Sequence, residues 1–154
     1  MIIINEQLKY SKKWYAPDVF LFTANNVIKK DGSLVMGAGT AKEVQDAWPK
    51  VSLMLGQKIQ KFGNNDYHVV TTTIQKGQVI GAFQTKRNYK HISSYDIIHK
   101  STQSLKKIAS KYPQFRYHLN FPGIGYGKLD YEKVFDIINV LPDNVLIYYV
   151  TIKQ

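Results

Sequence analysis

The sequence predicts an α/β protein: a three-layer α/β/α sandwich around a central mixed, mostly parallel sheet. Three observations carry this. Short apolar stretches rich in β-branched and aromatic residues alternate with stretches of helical period along the chain. Glycine loops stand between strand and helix twice, at 37–41 and 122–128. The 154 residues are 44% hydrophobic and 13% aromatic, which suits one globular domain spanning 1–154.

The elements follow in order. "MIIIN" reads as a first short strand. Residues 5–17, with Lys12, Lys13, Trp14, Tyr15 and Pro17, read as a loop or irregular helix. "DVFLFTA", 18–24, is a buried strand, and "IKKDGS", 28–33, carries the Asp-Gly signal of a turn. Beyond the first glycine loop, Ala41, Val44, Ala47 and Trp48 share a helical face, and Pro49 interrupts it. Val51, Leu55, Ile59 and Phe62 continue a helical stripe to the stop "GNND". "YHVVTTTIQ" and "QVIGAFQT", separated by Lys76-Gly77, read as a hairpin or two adjacent strands. Ser93 or Ser94 caps a helix with apolar positions Ile97, Ile98, Ser101, Leu105, Ile108 and Tyr112. A strand at 115–121, a helix at 131–141 and an apolar strand at 144–152 complete the chain.

Charge and composition narrow the function. Lys plus Arg is 21 against 11 Asp plus Glu, a formal net charge of +10. Such a field attracts anions, and with Trp14, Tyr15, Tyr89 and Tyr95 it permits nucleic-acid contact. There is no cysteine, hence no disulfide or thiolate metal site. His68, His91, His99 and His118 are scattered, so no metal and no cofactor is expected. "MIIINEQLKY" is too short for a signal-peptide core, and no stretch approaches twenty apolar residues. The expectation is a cytoplasmic protein with no membrane partner.

Chemistry concentrates in the glycine loops. In open α/β sheets ligands sit beyond the carboxyl ends of the strands. Both loops follow a strand and precede a helix, so both belong on one rim. Backbone N–H groups at a helix start are unpaired and partly positive, and small side chains let a phosphate dock on them. Two such loops suit a diphosphate. Each glycine also suits an ordinary tight turn. Neither loop is a Walker A or a GxGxxG motif, which disfavours P-loop hydrolysis and dinucleotide reduction.

Three segments resemble the macro domain family. "TANNVIKKDGSLVMGAGTA", 23–41, resembles its first loop, and "FPGIGYGKLDYEKV", 121–134, its second. "FQTKRNYKHISSYDII", 83–98, is similar to a segment of the terminal ADP-ribose glycohydrolases and the antitoxin domains that strip ADP-ribose from DNA. The resemblance implies ADP-ribose as ligand. Gly37, Ala38, Gly39 and Thr40 would hold the phosphates, and Gly123, Ile124, Gly125, Tyr126 and Gly127 would close from the other side. Asn26 would orient the distal ribose, with Asn25 the adjacent candidate. Lys86 would attack the anomeric carbon, with Arg87 supplying a like charge that lowers its pKa. The implied activity is hydrolysis of ADP-ribose from a modified macromolecule, DNA or protein. The alternatives are a non-catalytic reader or sequestering module and an ADP-ribose 1″-phosphate phosphatase. Two departures stand out. Family members carry a Gly-Asp pair after the first strand, whose Asp recognises adenine; here "IINEQL" offers only Glu6. The subset also has an acidic residue in the second loop, whereas here Asp130 and Glu132 sit at the helix start, where caps belong.

Overall fold

The computed structural model describes residues 1–11 and 13–151. Six strands form one sheet: β1 Ile2–Ile4, β2 Asp18–Ala24, β3 Val69–Gln75, β4 Gln78–Gln84, β5 Arg116–Asn120 and β6 Val145–Tyr148. Their spatial order is β1-β6-β5-β2-β4-β3. Every pairing is parallel except the β3–β4 hairpin. Four helices cover the sheet: α1 Gly39–Ala47, α2 Val51–Ile59, α3 Tyr95–Lys111 and α4 Tyr131–Ile138.

Strand alternation builds the layers. Successive side chains of a strand face opposite sides. On β2, Phe22 and Ala24 face one side and join a core with Val44 of α1 and Leu55 of α2. Val19 and Leu21 face the other and join Ile98 and Leu105 of α3 and Val134 of α4. The result is the expected α/β/α sandwich. Tyr10 and Trp14, from the irregular segment before β2, belong to the first core. The Tyr10 hydroxyl donates to the Leu21 carbonyl at 2.6 Å and the Trp14 indole to the Val79 carbonyl at 2.8 Å, so burial leaves neither polar tip unpaired. Lys12 lies outside the described residues.

Several boundaries differ from expectation. Phe62 leaves the α2 stripe: it lies in a 3₁₀ turn, Gln60–Phe62, and is 41% exposed. α4 ends three residues early, at Ile138, although Leu141 beyond it is buried. β6 ends at Tyr148 rather than 152, where the pairing of both neighbours ends, Ile4 of β1 and Asn120 of β5; Ile152 lies outside the described residues. The α3 cap is one of the two expected serines, Ser94, its hydroxyl accepting from the Ile97 N–H at 3.2 Å. Tyr112, expected on the α3 stripe, is the C-cap and half-exposed, while Thr102 and Ala109 are buried. Asp130 occupies the α4 N-cap position without a side-chain cap bond. Among the described residues no helix is long and apolar enough to cross a membrane.

Gly56 marks where the first layer locks onto the 27–35 excursion between β2 and α1. A Cβ there would overlap the Gly32 carbonyl oxygen. Backbone cannot yield as a flexible side chain does. Gly56→Ala is expected to cost about 2–3 kcal/mol in urea denaturation. An unchanged midpoint would contradict this packing.

Candidate functional site

β2 delivers Thr23, Ala24 and Asn25 to the carboxyl edge of the sheet. The chain then makes the 27–35 excursion, and Asn25 staples its base. Its Oδ1 accepts from the Val27 N–H at 2.9 Å and its Nδ2 donates to the Val35 carbonyl at 3.0 Å. A small hairpin results, with Val35 N–H donating to the Val27 carbonyl at 2.9 Å. Asx turns of this kind explain the asparagine locally. The excursion returns the chain to the rim as Gly37 and Ala38.

α1 begins there. Ala38 is its N-cap, in extended conformation, and offers no side chain to bond the first amides. No acidic residue stands in the first turn. The helix start is therefore left with open, partly positive N–H groups. Gly39 takes a φ of +60°, where a β-carbon is costly. Gly37 has a different basis: its φ is not positive, and a Cβ there would meet nothing within 4 Å. Neither packing nor backbone conformation requires that glycine.

The second loop leaves β5 and reaches the same rim. Gly123 and Gly125 take φ of +80° and +70°, and Gly125–Gly127 form a 3₁₀ turn. Tyr126 is 76% exposed, and its ring lies across Gly39, with Cδ2 3.5 Å from where a Cβ would stand. The two glycine loops thus meet, as their positions in the sequence implied. A third segment, 85–94, runs from β4 to α3. It is tied to the second loop by Ser93 N–H donating to the Gly127 carbonyl at 3.0 Å.

These segments enclose a cleft of about 1030 Å³. It is lined by Gly37, Ala38, Gly39 and Thr40, by Gly123, Ile124, Gly125, Tyr126 and Gly127, and by Asn25 and Lys86. Asn26 is elsewhere. Its side chain donates to the Asn65 carbonyl at 3.3 Å, and it lines a separate cavity with Ile28, Gln60 and Arg87. The order of the two asparagines is therefore reversed: Asn25 faces the cleft and Asn26 turns away, because consecutive side chains leave a strand end in opposite directions. Arg87 also turns away and pairs with Asp66 at 2.9 Å. It supplies no like charge to Lys86. Burial alone holds the Lys86 amine below its ordinary range. Lys86 Nζ donates to the His91 carbonyl at 3.2 Å.

Other cleft residues were not singled out as site residues. Lys29, Lys90 and Lys128 join Lys86, against one carboxylate, Glu43, among the described residues. Lys29 and Lys128 adjoin the two loop motifs, which was a usable signal. Gln7 and Asn120 had none, since only the folded sheet brings them to the rim. Glu6 does not line the cleft; its neighbour Gln7 does. Glu43 accepts from the Tyr10 N–H at 2.9 Å. Asp130 and Glu132 also stay outside, so the second loop brings Lys128 and no carboxylate. Among the described residues no three His, Asp or Glu side chains are grouped to hold a metal ion.

The site generates one direct expectation. In ¹³C-lysine-labelled protein, assigned with Lys86→Arg, the Lys86 signal should titrate at lower pH than those of exposed lysines. Its amine would then be neutral in a larger fraction of molecules at any given pH. Titration together with the exposed lysines would contradict the half-buried position.

No family model matches the sequence, and no curated protein matches it. Solved structures do. The macrodomain of Thermus aquaticus DarG superposes with a TM-score of 0.74 at 18% identity, covering 98% of this chain and 97% of that one. The macrodomain of Mycobacterium tuberculosis DarG gives 0.73 at 18% identity, covering 97% and 99%. Thermosipho africanus DarTG in complex with ADP-ribose gives 0.69 at 21% identity; 84% of this chain spans 37% of that one. The chain has the macrodomain fold.

Proposed function

We propose that the cleft binds ADP-ribose and that Lys86 removes it from a modified macromolecule. The observation that carries this is the meeting of two side-chain-poor loops over an uncapped helix start, with a half-buried lysine in the same cleft. Open amides suit a diphosphate. The structurally similar Thermosipho africanus DarTG was solved in complex with ADP-ribose. The four lysines of the cleft and the net charge of +10 favour a phosphate-bearing acceptor, DNA before protein.

The chemistry uses the neutral amine. Its lone pair attacks C1″ of the distal ribose, and the bond from C1″ to the acceptor atom breaks. The acceptor leaves with the proton shed by the lysine nitrogen. Water then adds to C1″ of the ribosyl-lysine, the C1″–N bond breaks, and ADP-ribose and the free amine are regenerated. Asn25, Tyr126 and the two loops hold the sugar and phosphates during both steps.

One observation favours a second reading, a non-catalytic reader. The second loop offers Lys128 and no carboxylate to act as acid or base. Incubation with ADP-ribosylated DNA, ADP-ribosylated protein and ADP-ribose 1″-phosphate separates these readings and the phosphatase. Release of ADP-ribose from DNA supports the hydrolase. Tight binding of ADP-ribose without turnover of any substrate supports the reader.

Two variants are informative. Lys86→Ala should abolish release while the ADP-ribose Kd changes less than about threefold in calorimetry. Wild-type turnover by this variant would remove Lys86 from the mechanism. Gly37→Ala should leave the melting temperature near wild type, since a Cβ there meets nothing within 4 Å. It should weaken ADP-ribose binding by about tenfold, roughly 1.4 kcal/mol. Unchanged affinity would place the ligand away from this loop.

A further inference from the structure

Lys86 enters the cleft from a strand end that is held from behind. Gln84, the last residue of β4, is fully buried, and its amide is completely used. Its Oε1 accepts from the N–H groups of Tyr67 and His68 at 3.0 and 3.1 Å. Its Nε2 donates to Asp66 Oδ1 at 2.8 Å and to the Lys86 carbonyl at 3.3 Å. An amide offers two lone pairs and two N–H bonds, and all four are engaged. His68 takes a φ of +63°, a conformation that L-residues adopt at a cost. At that bend two successive N–H groups converge on one oxygen.

Asp66 carries the hold past Lys86. Its Oδ1 also accepts from Arg87 Nε at 3.2 Å, and its Oδ2 from Arg87 Nη2 at 2.9 Å. The Arg87 guanidinium beside Asp66 keeps that carboxyl below the usual carboxylate range, so it is ionised at neutral pH. The same 63–68 loop braces the other side of the site, where the Tyr67 hydroxyl donates to the Asn25 carbonyl at 2.7 Å. Neither Asp66 nor Gln84 lines the cleft.

The geometry points to Asp66 and Gln84 as positioning residues for the Lys86 chemistry. They fix the backbone from which the lysine extends and divert the Arg87 cation to the far side of the strand. The inference rests on the proposed hydrolase reading for its kinetic consequence, but not for its structural one. A lysine amine rides on a flexible four-carbon stem, so a loosened base displaces the reacting nitrogen. Misplacement by about 1 Å costs on the order of 100-fold in rate.

The test compares Asp66→Ala, Asp66→Asn and Gln84→Glu. Asparagine keeps an oxygen where Oδ1 accepts from both Gln84 and Arg87, and loses only the charge and one bond. Glutamate at 84 sets a second carboxylate against Asp66. Two readouts are taken: kcat and KM for release of ADP-ribose from an ADP-ribosylated oligonucleotide, and the ¹³C titration of Lys86. The groups that share its cleft, Lys29, Lys90, Lys128, His91 and Glu43, are the same in every variant.

Asp66→Ala is expected to lower kcat by about 10- to 100-fold with KM within about twofold. Its Lys86 titration should move away from that of wild type, because burial of the amine and the place of the Arg87 cation both change. Gln84→Glu should follow it, and Asp66→Asn should retain kcat within about threefold. An Asp66→Ala variant with wild-type kcat and unchanged Lys86 titration overturns the inference. So does an effect confined to KM, or Asp66→Asn as impaired as Asp66→Ala, which would make charge rather than geometry the cause. If wild-type protein releases no ADP-ribose, the hydrolase reading fails, and the Lys86 titration of wild type against Asp66→Ala still decides the positioning.

Discussion

The unpaired amides at the start of α1 are the constraint around which the cleft is arranged. A helix start without a capping side chain leaves donors that must find water or a ligand. Ala38 cannot cap, and no carboxylate stands in the first turn. An ordinary surface helix places Ser, Thr, Asp or Asn there; α3 does so with Ser94. The contrast within one chain separates a helix start finished by its own sequence from one left open. The rest of the site follows from keeping that end accessible and anion-seeking. Gly37 leaves space, Gly39 allows the bend, and four lysines set the field.

The parallel sheet brings the other parts to the same place. β2, β4 and β5 run side by side and parallel, so their carboxyl ends and the segments after them share one rim. Asn25, Lys86 and the second glycine loop come from those three ends. Asn25 lies 61 residues before Lys86 (86 − 25), and Lys86 lies 37 before Gly123 (123 − 86); the fold closes those distances with main-chain bonds. Thr85 N–H donates to the Ala24 carbonyl at 2.9 Å, and Ser93 N–H to that of Gly127 at 3.0 Å. Rigid strands supply position, while the loops supply chemistry.

Much of this was legible in the sequence, for physical reasons that differ by element. The continuous apolar run of β2 records burial on both faces, and the 3.6-period stripe of α3 records one buried face, so pattern alone located them. The glycine loops were legible because small residues between strand and helix have few other uses. What pattern could not show was orientation. Asn25 and Asn26 are chemically identical neighbours, and only the strand geometry decides which one faces the cleft. Arg87 looked like an electrostatic neighbour of Lys86, yet Asp66, 21 residues away, claims it. The missing α4 cap is similar: Asp130 stands at the right position, yet its side chain makes no bond to the helix amides. Gln7 and Asn120 were silent because their place in the cleft is a tertiary fact.

The central claim is that main-chain amides of both loops face one diphosphate. Amide chemical shifts report this without a mutation. On titration of ¹⁵N-labelled protein with ADP-ribose, the largest shifts should fall on residues 37–41 and 123–128 together, saturating with one binding curve. Shifts confined to one loop, or clustered away from both, would contradict it.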